Sequence, residues 1–164
     1  MTEKKTKLHG IQLTEIKIVQ LSIKVNQTST FIEQPNIDFS INQGHTKYDQ
    51  ENKKINVAAK LITVKKDDQE NPFDLVVELF GVFVVDESHF PIEHIEDWAK
   101  RNAIMLLIPF LREHVYSLTV RCGLPPMIVP LFTVPTLKIK DDKESTSTKD
   151  GDDADTKKKT EPKD

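Results

Sequence analysis

AIMLLIPFLREHVYSLTVRCGLPPMIVPLFTVPTL, residues 103–137, is the stretch on which the fold turns. Ala103, Leu107, Leu111, Val115, Leu118 and Cys122 recur at steps of three or four, which places them on one face of a helix. Arg112, Glu113, Ser117 and Arg121 fall mostly elsewhere, so the second half is amphipathic. The first half leaves no polar side, since Ile104, Met105, Leu106, Leu107 and Ile108 are consecutive. A helix that is apolar all round must be covered all round. Pro109 removes one backbone donor and predicts a kink or a division near Met105. Gly123 is the expected left-handed cap, and Pro125 and Pro126 forbid continuation. The helix should run from Ala103 to Cys122, about 30 Å at ~1.5 Å per residue. An uncharged, proline-stiffened strap follows it.

Upstream, the period changes from helical to alternating. Val19, Leu21, Ile23 and Val25 alternate with polar residues, while Ile16 and Ile18 are on the opposite phase. That slip near Val19 predicts a bulge in a first strand over 11–25. Ile37, Phe39 and Ile41 mark a second strand, with a polar loop expected from Gln43 to Asn52. A third strand is expected over Lys54–Val64 and a fourth over Phe73–Val85. The second half of the fourth is apolar on both faces, so it should be a central strand or one covered twice. Short connections between four strands imply an antiparallel sheet. A short helix over Glu93–Lys100 should lead into the long one. The fold class is therefore α+β: a four-stranded antiparallel sheet, then one long helix, kinked at the proline, on one face. Residues 1–10 read as a flexible N-terminus and 11–137 as the folded domain. Residues 138–164, with eight Lys, nine Asp or Glu and no aromatic, read as a disordered charged tail.

Composition excludes several classes of function. The formal net charge of −3 gives no reason to expect a nucleic-acid partner. One cysteine, Cys122, forbids an internal disulfide and suits a reducing compartment. Residues 1–7 are polar and lysine-rich, unlike a secretory signal. The longest uncharged run, 122–137, holds four prolines and is too short to span a bilayer. The expectation is a soluble cytoplasmic protein that does not insert into membranes.

No catalytic grouping stands out, so the chain is not expected to be an enzyme, and no cofactor or metal is expected. His114 and Cys122 are two helical turns apart, too far for a hydrogen bond, and Cys122 is expected as a small core residue. His89 and His94 lack partners at a metal-ligand spacing and read as solvated or capping. The informative feature is an apolar surplus. One small sheet and one helix hide one face of each, yet the fourth strand and the upper helix are apolar on both. Either an oligomer covers the whole surplus, as in a purely structural scaffold, or part stays open as a groove for extended apolar ligands. Ile104, Met105, Leu106 and Ile108 are the expected subunit contacts.

The run FPIEHIEDWAKRNAIMLLIPFLREHVYSLTVRCGLPPMIVPLFTV, residues 90–134, resembles the SecB family of protein-export chaperones. The likeness is carried by the Pro109-Phe110 step, the Arg112-Glu113 pair and the turn with Ser117 and Thr119. The stop and strap from Gly123 to Pro130 complete it, and four preceding strands extend it to 16–134. The resemblance implies edge-strand dimers that pair into a homotetramer with the helices between two sheets. It implies an ATP-independent holdase that keeps unfolded precursor polypeptides in apolar grooves and passes them to the motor SecA. The groove positions it implies are Ile37, Phe39 and Ile41 on the second strand and Leu124, Met127, Val129 and Leu131 in the strap. Two features depart from the pattern. The family adds a second helix after the strap, for which Pro135 leaves little room. Members that serve SecA often end in an acidic tail, whereas this tail carries Lys157, Lys158 and Lys159 in succession. A dedicated non-export client, such as an antitoxin, is the variant that this departure favours.

Overall fold

The computed structural model describes residues 7–26, 37–65 and 70–131. Four strands, β1 (Ile11–Val25), β2 (Asp38–His45), β3 (Lys54–Val64) and β4 (Phe73–Val85), form one antiparallel sheet in the order β1-β4-β3-β2. A 3-10 turn (Ile92–His94) leads to α1 (Ile95–Arg101) and α2 (Ala103–Arg121). Both helices lie on one face of the sheet: α1 over β2 and β3, α2 over β4, β1 and β3. The four strands and the single helical layer agree with the sequence reading.

Alternation explains which face is covered. Phe73, Leu75, Val77, Leu79, Phe83 and Val85 are buried, and their register partners on β3 (Ile55, Val57, Ala59, Leu61) are buried with them. Each such aliphatic or aromatic side chain contributes about 1.5–3 kcal/mol by leaving water. The gap in that row is Gly81. A Cβ there would lie 2.9 Å from Leu107 Cδ2 and 3.1 Å from Phe83 Cε2, so the missing side chain is what lets α2 approach the sheet.

β1 holds two register shifts, between Leu13 and Glu15 and between Ile18 and Gln20. Their effect resolves the phase slip seen in the sequence. Leu13, Ile16, Ile18, Leu21 and Ile23 pair with Phe83, Gly81, Leu79, Val77 and Leu75, all on the helix-side face of β4. Each bulge inserts one residue and returns the apolar set to the same side. The second bulge falls at Val19, where the alternation breaks.

β2 continues past the expected loop start at Gln43, pairing Gln43, Gly44 and His45 with Ala59, Ala58 and Val57. Its last residues are exposed and polar, because the edge strand is paired on one side only, and this concealed the strand in the pattern. Between β2 and β3 the chain closes by Asp49 N–H to Lys54 O at 2.9 Å and the return bond at 3.1 Å, with Lys53 in the left-handed region (φ 51).

The short and the long helix part where the sequence reading separates them, and the proline does not divide the long one. α2 runs through Pro109 without interruption, and the division falls at Asn102 (φ −111, ψ −34). Pro109 has no N–H to offer the carbonyl of Met105, and both residues are on the exposed side, where that carbonyl is open to solvent. The buried stripe of α2 is Ala103, Ile104, Leu107, Leu111, Val115 and Thr119. Cys122, expected on this face, is instead the exposed C-cap residue, because the stripe drifts toward Thr119 and the helix ends at Arg121. The stretch Ile92–Arg121 is, by length and composition, long and apolar enough to cross a membrane; here its buried stripe packs on its own sheet.

At the other end, His9 and Gly10 contact the body. Asp86 N–H donates to Gly10 O at 2.7 Å, and the His9 ring stacks on Trp98 at 6.0 Å. The strap beyond Leu131 and the charged tail fall outside the described residues.

Candidate functional site

The strap is positioned by the end of α2. Gly123 (φ 72) adopts the left-handed conformation, Gly123 N–H donates to Val120 O at 3.0 Å, and Leu124 N–H donates to Thr119 O at 3.0 Å. This pair of bonds is the Schellman stop, and it requires a residue without Cβ strain at Gly123. Thr119 then does a second job. Its hydroxyl donates toward Val115 O (3.1 Å) and Tyr116 O (2.9 Å) and accepts the Met127 N–H at 3.2 Å. A buried threonine thus ties the returning strap to the helix. Sequence reading assigned Thr119 no such part; its signal was a hydroxyl at the stripe position where an apolar residue is due.

The strap side chains divide sharply. Leu124 is 8% exposed and Val129 is 1% exposed, so both belong to the core of a single copy. Met127 is half-buried against that core, and Leu131 is 82% exposed. Ile128, not among the expected positions, is 70% exposed. Between strap and helix lies a cavity of about 280 Å³, lined by Pro109, Arg112, Glu113, Tyr116, Met127, Ile128 and Val129.

Phe39 and Ile41 on β2, and Ile37 just before it, are half-buried and pack against the core. Phe39 and Ile41 pair with Thr63 and Leu61. The hydrogen-bonding parity of this edge follows from one bond. Thr46 N–H donates to Asn56 O at 3.0 Å, so the even-numbered residues of β2 turn their backbone groups toward β3. Phe39, Ile41 and Gln43 therefore turn theirs toward the sheet edge. Phe39 and Ile41 thus present apolar side chains to the helix side and backbone donors and acceptors to the edge, the geometry that accepts an added strand.

Two ties hold this hairpin, one to the helical layer and one to the β4–α1 loop. Gln43 Nε2 donates to Lys100 O at 2.6 Å, beside a cavity of about 370 Å³ lined by Gln43, Gly44, His45, Val57, Ala99 and Lys100. Tyr48 Oη donates to Glu87 Oε1 at 2.9 Å, and Lys53 Nζ lies 3.3 Å from Glu87 Oε2. Burial, and then the Glu87 hydrogen bond, push the Tyr48 phenol up to about 12. The Tyr48 hydrogen bond holds the Glu87 carboxyl below its ordinary value.

The expected subunit-contact residues also divide. Ile104 is buried within one copy, Ile108 is half-buried, and Met105 and Leu106 are exposed. Phe110, Tyr116 and Val120 continue the exposed apolar side of α2, and Ile18, Val19 and Leu21 are exposed on β1.

Among the described residues, the polar cluster at His89 is not arranged as a proton relay. His89 Nδ1 lies 2.7 Å from Asp86 Oδ2 and 2.9 Å from Ser88 Oγ. One ring nitrogen meets both groups, whereas a proton relay needs one on each side of the ring. The cluster shapes the β4–α1 loop, and its bonds, chiefly from Ser88, hold the Asp86 carboxyl at about 2. A neighbouring cavity of about 690 Å³ borders the same loop, His9 and Trp98. Among the described residues no group of three or more His, Cys, Asp or Glu is placed to hold a metal ion.

With this geometry the comparisons agree. The family model of preprotein translocase subunit SecB matches residues 4–132, and the chain belongs to the SecB family. An uncharacterized protein of Methanocaldococcus jannaschii is 33% identical over 70 residues, which are 43% of this chain and 44% of that one. The chain thus spans less than half the length of that curated relative. Among solved structures, a SecB-like chaperone of Mycobacterium tuberculosis, in complex with a ChAD peptide from the HigA1 antitoxin, superposes with a TM-score of 0.62. It is 18% identical and covers 74% of this chain and 90% of its own, a likeness of fold.

Proposed function

We propose that this protein is a non-catalytic, ATP-independent holdase of SecB type that binds unfolded polypeptides in the cytoplasm. The observation that carries the reading is the apolar surface left open on a folded chain. Met105, Leu106, Phe110, Tyr116 and Val120 on α2 and Ile128 and Leu131 in the strap remain exposed after the core is filled. Apolar surface on this scale is kept by a soluble protein only when something covers it. In this reading a homotetramer, a dimer of dimers, covers the Met105 and Leu106 side. An unfolded client covers the rest, resting on Ile37, Phe39, Ile41, Met127 and Leu131 and pairing its backbone with the β2 edge. Leu124 and Val129 then hold the strap in place from beneath. Apolar contact and backbone pairing carry little sequence information, so selectivity is low.

The test is suppression of aggregation. Mixed in stoichiometric amounts with a slowly refolding polypeptide, the protein should abolish the rise in light scattering; an unchanged rise rejects the reading. Phe39→Asp and Met127→Asp should each weaken client capture by about tenfold or more, as a buried unpaired carboxylate costs at least ~1–3 kcal/mol. Assembly, read by sedimentation, should be unchanged. Loss of assembly instead assigns that residue to the subunit interface.

Two client classes follow. Export precursors handed to SecA are one. An antitoxin is the other, favoured by the antitoxin peptide bound to the Mycobacterium chaperone and by the mixed-sign tail. Polypeptides recovered with the protein from cell extract separate the two. A purely structural scaffold, with every apolar residue in subunit contact, predicts no binding of an apolar dye by the native oligomer.

A further inference from the structure

We infer that Gln43 is the end-stop of the client groove. The inference rests on the groove reading above and adds where a bound chain must leave it. Phe39, Ile41 and Gln43 succeed one another on the helix-side face of β2. The first two are apolar and half-buried; the third spans from the sheet to the helical layer. Its amide meets Lys100 O at 2.6 Å, in the last turn of α1. That carbonyl is open to an outside donor because the helix breaks at Asn102. The amide therefore sits across the gap between β2 and α1, at the point where the apolar row ends.

The surroundings keep the gap fixed. One residue run further on, Tyr48 N–H donates to Glu96 Oε1 at 3.4 Å, a second link between the hairpin and α1. Both ties hold the hairpin against α1. A client strand added along the β2 edge has side chains of its own on the helix side. Those opposite Phe39 and Ile41 find apolar ground; the next would have to displace the Gln43 amide from its carbonyl. The bound segment thus ends at Gln43 and turns out to solvent.

The experiment maps the footprint of a client on the full-length protein. Cys122 is replaced by Ser, and a single cysteine is placed at Ile41 (Ile41→Cys) or beyond the stop at His45 (His45→Cys). Each carries a thiol-linked photo-crosslinker. The client is reduced, carboxymethylated α-lactalbumin, which cannot fold. The stop predicts strong cross-linking from position 41 and little from position 45. Adding Gln43→Ala should raise the yield from position 45 several-fold while leaving that from position 41 unchanged. Equal yields at position 45 with and without Gln43→Ala overturn the stop, and leave Gln43 as a cap for α1 alone. No cross-linking from position 41 in either background overturns the groove reading and the stop together.

Discussion

At the residue scale the fold depends on a few side chains with more than one duty. Thr119 occupies a core position, is 0% exposed, and still has every hydrogen-bonding role filled. Thr119→Val keeps the shape and removes the acceptor for Met127 N–H. We expect a loss of about 1–3 kcal/mol in urea denaturation, together with faster hydrogen exchange at the Met127 amide. Thr119→Ser should keep that amide protected. Gly81 works by absence, giving Leu107 its place on the sheet. Neither role is legible in the sequence. A threonine in a helix and a glycine in a strand read as small defects in a pattern, and only the approach of a distant element makes them necessary. Gly123 was legible because the stop is local: glycine, then two prolines, after an apolar stripe.

At the scale of elements, the β2–β3 hairpin is set by its link to the β4–α1 loop through Tyr48, Glu87 and Lys53. Tyr48→Phe should lower the melting temperature and let the Glu87 carboxyl titrate nearer its ordinary value, which a carboxylate NMR titration reads directly. The sign follows from the depressed folded-state value. Glu87 supports the fold above the ordinary carboxylate range, and that support is lost as the pH falls through its folded-state value. Tyr48, raised to about 12, acts at the other limit: it stays neutral in the fold where a free phenol ionises, so its contribution fades as the pH rises from about 10 to about 12. The sequence located all four strands to within a few residues, because alternation and turn residues are local signals. It ended the short helix at Lys100 and began the long one at Ala103, and the division at Asn102 lies in that gap. It also allowed a division near Met105, which does not occur: α2 is continuous through Pro109, which falls on the exposed side, and exposure is a tertiary property. In the candidate site the sequence named the strap and β2. It could not tell Leu124 and Val129, which face inward, from Leu131, which faces out, since an irregular strap has no period from which to infer a face.

For the whole molecule, the exposed side of α2 makes association the expected condition. Leu106→Asp should shift the sedimentation coefficient to that of a smaller species while leaving the circular dichroism of the sheet and helices in place. The wild-type melting temperature should rise with protein concentration, as it must when assembly stabilises the folded form. The variant should lose that dependence. A last consequence belongs to β1. An outermost ribbon of fifteen residues is long enough to recruit copy after copy into a fibre. Its two inserted residues interrupt the flat run of amides that such growth would need. If the protein keeps company with sticky, half-made chains, as proposed above, these interruptions keep it from seeding the very deposits that it would be there to avert.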